Sequence, residues 1–454
     1  MAGMKTGKTK NLSRRQFMSG VSAAVVLGAS QRPLPKAARP NVLFILGDDL
    51  GYGDLSCFGR PDYSTPNLDR LAAQGMRFTN AYAASPVCTP TRCAFITGRY
   101  PARTPVGLEE PLGWHKQVGN RVGLSPDHPT VASLLRKNGY ETALIGKWHL
   151  GYLPDFGPTR SGFDEFFGIL SGGADYFTHK DANGDLDLYE GAVPVERIGY
   201  MTDLLTGRAV EYISRRKRGR PFYLSLHYTA PHWPWEGPGD EQVSRTLMQG
   251  YAGLTAGGSL KTYASMMKSL DDGVGKVLKA LRTAGLERDT LVIFTSDNGG
   301  ERFSFNWPFS GQKQDLLEGG IRVPAIVRWP GVIPARVSTE QVAITMDWTA
   351  TILGAAQANA AASHPLDGND LIPVCRGARD QYERTLFWRH GDQDAVRRGK
   401  WKYLRNGARE YLFDLAVDQR EHADFKGSNP EVFRQLKSVF ESWEAQVLAR
   451  PAGR

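Results

Sequence analysis

Two continuous apolar runs, each stopping at a pair of carboxylate or amide residues, constrain the fold of this chain more than any other feature. Asn41-Val42-Leu43-Phe44-Ile45-Leu46 ends at Gly47-Asp48-Asp49, and Thr290-Leu291-Val292-Ile293-Phe294-Thr295 ends at Ser296-Asp297-Asn298-Gly299-Gly300. A run of that kind has no polar alternation, so both of its faces lie in a core, as in a buried strand of a parallel sheet. Helical patterns at Pro66 to Ala73, Thr130 to Asn138, Met201 to Arg215 and Lys261 to Leu281 lie between the two runs, with short strands at Thr142 to Ile145 and Phe222 to Leu226. Strands alternating with helices predict an α/β fold: a large, doubly wound, mostly parallel sheet flanked by helices. Ligands of such sheets gather at the carboxyl ends of the strands, where Asp48, Asp49, Asp297 and Asn298 fall.

The pattern changes after an Ala-rich, turn-prone stretch at Ala355 to His364. Thr385 to His390, Asp394 to Arg405 and Glu410 to Leu415 read as short strands of an antiparallel meander. Asn429-Pro430 opens a helix with an N-cap and a proline in its first turn, and Phe433, Leu436, Phe440, Trp443 and Val447 share one face. The expected organisation is a large domain over 39–360 and a smaller C-terminal α+β subdomain, antiparallel sheet plus helix, over 361–450.

The N terminus is of another kind. Lys5, Lys8 and Lys10 lead into Ser13-Arg14-Arg15-Gln16-Phe17-Met18 and then a short apolar run from Val21 to Leu27, which resembles a twin-arginine export signal over 1–30. Export to the periplasm or beyond follows as an expectation. The apolar run is too short to span a bilayer, and no stable membrane insertion is expected. The chain carries a formal charge of +9, of which these thirty residues supply five basic groups and no acid, leaving +4. A balance that small gives little electrostatic footprint for nucleic acid, and Arg215-Arg216-Lys217-Arg218 reads as one short solvated run. Four cysteines, Cys57, Cys88, Cys93 and Cys375, are too few and too scattered for a disulfide framework or a zinc site.

One of those cysteines opens the most informative motif, Cys88-Thr89-Pro90-Thr91-Arg92-Cys93-Ala94-Phe95-Ile96-Thr97-Gly98-Arg99. Pro90 pushes Thr89 toward extended geometry, so a helix is expected to begin near Arg92, with Cys88 at or just before its N-terminus. Backbone N–H groups there favour an anion. Asp48, Asp49, Asp297 and Asn298 supply three carboxylates and an amide oxygen, a hard-oxygen set suited to Ca²⁺, with Mg²⁺ as the alternative. Without a cation such a group would repel itself or raise its own pKa values. Lys147 and His149 follow one short strand in Gly146-Lys147-Trp148-His149-Leu150-Gly151, His232 follows another in Ala230-Pro231-His232, and Lys313 precedes the glycine-rich Glu318-Gly319-Gly320.

Cys-x-Pro-x-Arg followed by Thr-Gly-Arg resembles the signature of the formylglycine-dependent sulfatases of the alkaline phosphatase superfamily. The resemblance extends in ordered motifs from about Asn41 to Pro330, including Gly51-Tyr52-Gly53-Asp54 and Thr65-Pro66-Asn67-Leu68-Asp69, and more loosely to Leu412-Phe413-Asp414-Leu415. Thr91 stands where many relatives have serine, and Cys93 after the arginine is a second departure in detail. The resemblance implies an alkaline-phosphatase-like fold and hydrolysis of sulfate monoesters of an aryl or sugar alcohol. It also implies one Ca²⁺ per chain held by Asp48, Asp49, Asp297 and Asn298. Cys88 would be oxidised to formylglycine by a formylglycine-generating enzyme and would itself meet the metal. Arg92 and Lys147 are assigned to that side chain and the metal, His149 to its hydroxyl, and Lys147, His232 and Lys313 to the sulfate, with His232 as acid for the leaving oxygen.

The chemistry fits these parts. A sulfate monoester of a sugar has one negative charge and a poor leaving group, so its site must gather cations and protonate the departing oxygen. A hydrated aldehyde carries two hydroxyls on one carbon: one attacks sulfur, and the other later expels sulfate and restores the aldehyde. A serine or thiol lacks the second step. The long segments Ser171 to Tyr200, Trp233 to Lys261 and Glu301 to Gln312 are expected to shape the pocket, and Phe303, Phe305, Trp307 and Phe309 either stack on a ring or pack the loop itself. Two other readings stay open on sequence: a phosphodiester or phosphonate monoester hydrolase with the same nucleophile, and a sulfate-binding protein without turnover. A metal-dependent nucleic-acid enzyme is weaker, given the small charge.

Overall fold

The first apolar run forms a strand, Asn41–Gly47, that is buried along its whole length because it has neighbours on both edges and helices on both faces. The computed structural model describes Met1, Gly3 and residues 39–451 apart from 217–218, 243 and 245–254. The export-signal reading, Lys217 and Arg218 lie outside these described residues. In chain order the strands are β1 (Asn41–Gly47), β2 (Met76–Phe78), β3 (Ala81–Tyr82), β4 (Glu141–Gly146), β5 (Glu165–Gly168), β6 (Tyr189–Glu190), β7 (Val193–Pro194), β8 (Phe222–His227), β9 (Thr290–Ser296), β10 (Ala325–Arg328), β11 (Val337–Thr339), β12 (Ala343–Ile344), β13 (Thr385–His390), β14 (Gln393–Arg398), β15 (Trp401–Asn406) and β16 (Arg409–Asp414). Ten of them make one sheet in the order β11-β2-β10-β9-β1-β8-β4-β5-β6-β7. Its centre, β9-β1-β8-β4-β5, is parallel throughout, and antiparallel pairs flank it at β10 and β6.

Alternation along β1 shows the two layers. Leu43 and Ile45 join a core with helices Met201–Ser214 and Leu260–Thr283 and with α1 (Pro66–Ala73), while Val42, Phe44 and Leu46 join a second core with helices Val131–Lys137 and Thr345–Ala356 and with α2 (Cys88–Thr97). Phe95 of α2 stacks on Phe44 with ring centroids 3.8 Å apart, which seats α2 against the strand that carries Asp48 and Asp49.

A separate four-stranded antiparallel sheet, β13-β14-β15-β16, follows. The segment expected as one strand from Asp394 to Arg405 is two, because Gly399, at φ 56°, opens a two-residue turn in a left-handed conformation that glycine adopts without strain. Leu436, Phe440 and Trp443 of the helix Pro430–Glu444 are buried on this sheet as their spacing predicts. Asn429 does not cap that helix with its side chain; its amide donates to the Phe425 carbonyl and to Ser428 Oγ instead. Tyr82, Ala94 and Tyr100 from the larger part share a third core with this sheet and helix. No helix among the described residues is long and apolar enough to cross a membrane.

Candidate active site

Parallel strands β1, β9, β8 and β4 end together, and all ten residues singled out in the sequence lie at or beside those ends. Asp48 and Asp49 follow β1, Asp297 and Asn298 follow β9, Lys147 and His149 follow β4, and His232 lies just beyond β8. Two backbone features make the turns possible. Asp49 takes φ 61°, held by its own N–H donating to Asp297 Oδ1 at 3.1 Å. Gly146 takes φ 114°, and a Cβ there would sit 1.7 Å from the His227 carbonyl oxygen, so only glycine lets β4 hand over to Lys147.

Cys88 is the first residue of α2 rather than lying ahead of a helix that begins at Arg92. Pro90 is tolerated because the first-turn N–H groups of a helix have no intrahelical acceptor to lose, and Thr91 braces the entry by bonding both the N–H and the carbonyl of Ser85. Arg92 therefore sits one turn further in, fully buried and pointing at the acids. Its Nε and Nη2 lie 3.0 and 2.9 Å from Asp297 Oδ2, its Nη2 lies 3.5 Å from Asp48 Oδ1, and its Nη1 donates to the Lys147 carbonyl at 2.9 Å.

The other acids are paired in the same way. Lys147 Nζ lies 2.6 Å from Asp48 Oδ2 and Lys313 Nζ lies 2.6 Å from Asp49 Oδ2. Self-repulsion is thus already offset by three fixed cations, which the one-dimensional pattern did not show. Burial alone would raise Asp49, but Lys313, His232 and Lys147 outweigh it and hold its carboxyl low. Asp297 shows the remaining crowding, pushed up to about 7 by burial and then by Asp48, against Arg92. Burial works against the charge of Arg92, and Asp297 and Asp48 overcome it.

Asp48 Oδ1 and Asn298 Oδ1, both in fully buried residues, stay without a hydrogen-bond partner, as do Arg92 Nη2 and, at the edge of the cluster, Glu301 Oε1. Asn298 uses its amide N–H groups on Asp49 Oδ1 at 2.7 Å and on the Gly299 carbonyl at 2.9 Å. Ligand atoms of Asp48, Asp49 and His232 lie within 4.8 Å of one another. His232 is thus closer to the acids than its sequence position indicated, with Nε2 3.5 Å from Asp49 Oδ2.

Cys88 Sγ lies 3.2 Å from His149 Nδ1. His149 Nε2 lies 3.0 Å from the Leu112 carbonyl, an acceptor, so Nε2 carries the proton and Nδ1 accepts from residue 88. Burial and then Lys147 hold this imidazole well below its usual range, so it is neutral. Burial also pushes the Cys88 thiol up, against Lys147, which leaves an unmodified thiol a poor nucleophile. His232 Nδ1, 2.6 Å from the Trp233 carbonyl, carries the proton there, leaving Nε2 toward Asp49. All four cysteines are free thiols.

A family model described as Sulfatase matches residues 40–358. The chain belongs to the sulfatase family. It is 33% identical over 386 residues to N-acetylgalactosamine-6-sulfatase of Homo sapiens, covering 81% of this chain and 70% of that one. It is 36% identical over 448 residues to arylsulfatase A of Bos taurus, covering 90% and 82%. Among solved structures, Ps i-CgsB superposes with a TM-score of 0.80 at 30% identity over 91% of this chain and 94% of that one, and the same protein has been solved in complex with k-i-k-neocarrahexaose. This sulfatase is a sulfuric ester hydrolase on an alkaline-phosphatase-like α/β fold.

Two residues of the cluster escaped the sequence reading. His227, the last residue of β8, lies 3.1 Å by Nδ1 from the Lys147 carbonyl and 2.8 Å by Nε2 from Ser225 Oγ. Inside an apolar strand nothing marks it as polar machinery. Glu301 lies 3.5 Å from Lys313 and is pushed up to about 7 by burial and then by Asp49, against Lys313; its closeness to Asn298 in sequence was the available signal. The aromatics of its loop pack against other segments rather than the loop itself: Phe309 is buried against Tyr52 and Arg322 and Phe303 packs on Trp235, while Trp307, 52% exposed, lies under Arg420.

Proposed function

We propose that this sulfatase cleaves sulfated carbohydrates at a Ca²⁺ site with residue 88 in its formylglycine form. What carries the proposal is the pair of buried oxygens, Asp48 Oδ1 and Asn298 Oδ1, left without hydrogen-bond partners beside Cys88 and its histidine. A buried acceptor left unmade costs about 1–3 kcal/mol, so two in one cluster call for a ligand that only oxygen atoms hold well. Asp48, Asp49, Asp297 and Asn298 would hold Ca²⁺, or Mg²⁺ in its place. When bound, the ion supplies positive charge for a sulfate oxygen, and formylglycine supplies the paired hydroxyls for attack and regeneration.

The chain's own residues do the rest. His149, neutral and with Nδ1 unprotonated, accepts the proton of a hydroxyl on residue 88. Lys147 and Lys313 stand ready for the sulfate oxygens while each is oriented by one acid, Asp48 or Asp49. Arg92 holds Asp297 and the Lys147 carbonyl in place. Burial first, against Asp49, keeps His232 well below its usual pKa. An anionic sulfate ester at Lys313 raises the proton affinity of His232, so substrate binding itself charges the group that protonates the leaving oxygen. Carbohydrate is favoured over other alcohols by the k-i-k-neocarrahexaose in the Ps i-CgsB complex, by the N-acetylgalactosamine-6-sulfatase relative, and by Trp233, whose ring lies 6.0 Å from Lys313 Nζ and 6.4 Å from that of Trp114. Export through the twin-arginine-type signal suits a polymer-derived substrate.

The test is release of inorganic sulfate from aryl sulfates, sulfated monosaccharides and carrageenan oligosaccharides. Phosphodiester and phosphonate monoester controls run beside them, with protein co-expressed with a formylglycine-generating enzyme. Turnover of a sugar sulfate that Cys88→Ala abolishes is expected. Turnover of the phosphorus substrates alone would move the chain to the rival hydrolase class, and binding of sulfate without turnover by converted protein would leave a binding protein.

A further inference from the structure

Lys313 reaches Asp49 from a long loop between β9 and β10, and part of the hydrogen bonding that fixes this loop comes from the small C-terminal sheet. The side-chain amide of Gln393, the first residue of β14, uses both of its ends on the backbone just after Lys313. Its Oε1 accepts from the Leu316 N–H at 2.9 Å and its Nε2 donates to the Gln314 carbonyl at 2.9 Å. Gln314 itself has φ 76°, a left-handed conformation that glutamine does not favour and that outside contacts must hold. Its N–H donates to the Pro86 carbonyl at 3.0 Å, which ties the same point to the approach to Cys88.

A second clamp closes the loop a few residues later. The Glu318 N–H donates to Glu421 Oε2 at 2.6 Å. Lys402 of β15, fully buried, lies 3.0 Å from Glu318 Oε1 and 2.8 Å from Glu421 Oε1. Tyr82 donates to Glu318 Oε2 at 2.6 Å and Arg322 lies 3.2 Å from the same oxygen. Burial alone would raise Glu318, but Lys402, Arg322 and Arg397 outweigh it. The Lys313 segment is thus tied to the large sheet by its side chain on Asp49 and by its N–H, which donates to the Gly300 carbonyl at 3.1 Å, to the approach to Cys88 by Gln314, and to the C-terminal subdomain by Gln393 and Glu421.

We propose that Gln393 is a positioning residue for Lys313: the β14 edge, backed by the Lys402–Glu421 pair, holds the loop in the conformation that presents the Lys313 ammonium to substrate sulfate. This gives the C-terminal sheet a part in the reaction, and it rests on the assignment of Lys313 to the sulfate. Gln393 is half-buried at a strand end, so its truncation leaves no core cavity and the fold tolerates it.

The experiment is a double-mutant cycle between Gln393→Ala and Lys313→Met in formylglycine-bearing enzyme, reading KM, kcat and the inhibition constant of inorganic sulfate, with unfolding midpoints recorded for each. Loss of two backbone hydrogen bonds is expected to raise KM and the sulfate inhibition constant about tenfold, with a smaller change in kcat and a nearly unchanged midpoint. In the Lys313→Met background the same substitution should change neither constant by more than about twofold. A purely structural Gln393 would multiply its effect onto Lys313→Met, and that result overturns the proposal. So does a Gln393→Ala enzyme with wild-type sulfate inhibition while Lys313→Met is impaired. Unimpaired sulfate binding by Lys313→Met would instead overturn the assignment of Lys313, and the proposal with it.

Discussion

Arg92 offers the sharpest test of how the acid cluster is held together. Its guanidinium is fully buried, with two nitrogens within 3.0 Å of Asp297 Oδ2 and a third 2.9 Å from the Lys147 carbonyl. Arg92→Met keeps most of the volume and removes the charge and all of these bonds. Breaking one side of a buried ion pair costs about 3–5 kcal/mol, and the lost bond to a neutral carbonyl adds about 1 kcal/mol. Asp297→Asn should cost about 3–5 kcal/mol for the converse reason, because Arg92 then keeps only Asp48 at 3.5 Å. The double variant buries neither charge of the pair, so its loss should fall short of the summed single losses by about 2–3 kcal/mol. Equilibrium urea unfolding in excess chelator, with the slope checked to be common to all four proteins, measures the cycle without metal contributing. Single losses below about 1 kcal/mol, or losses that add to within about 0.5 kcal/mol, would refute the view that fixed cations hold the carboxylates together.

Three further outcomes follow from the geometry. Gly146→Ala places a Cβ 1.7 Å from the His227 carbonyl oxygen at φ 114° and should lose on the order of 3 kcal/mol or more in urea unfolding; an unchanged midpoint would contradict the turn described here. Glu236, buried and pushed up to about 9 from 4.5 by burial and then by Asp175, binds a proton in the folded chain that the unfolded chain has already released. Its contribution is therefore whole below about pH 4.5 and lost as pH rises toward about 9, so Glu236→Gln should flatten the decline of stability across that window, and parallel wild-type and variant profiles would count against it. Adding Ca²⁺ to chelator-treated protein should raise stability by about 2.7 kcal/mol at a hundredfold excess over its dissociation constant, and Asp48→Asn should remove most of that gain; a Ca²⁺ response equal in wild type and variant would place the ion elsewhere.

Much of this molecule is local enough to be read from the chain. An apolar run with an acid pair at its end is a buried strand and its terminus, and the motif at Cys88 announces a helix start. Periodicity also placed α1 and the helices Val131–Lys137, Met201–Ser214 and Leu260–Thr283 to within a few residues. What stayed hidden depends on juxtaposition. Pro90 obeys a first-turn exception visible only once the Thr91 brace to Ser85 is seen. The cations Arg92, Lys147 and Lys313 arrive from three different segments, so their pairing with Asp297, Asp48 and Asp49 is a property of the sheet edge. His227, Glu301 and Gln393 act through partners on other elements, and apart from the closeness of Glu301 to Asn298 their own neighbours in the chain do not mark them.

The central claim is that turnover belongs to residue 88 in its converted form. Samples carrying graded fractions of converted residue 88, each fraction measured by mass spectrometry of the peptide that contains it, should release sulfate from one sugar sulfate in proportion to that fraction. The line should pass through zero rate at zero conversion. A rate independent of conversion, or an unconverted sample as active as a converted one, would contradict the account.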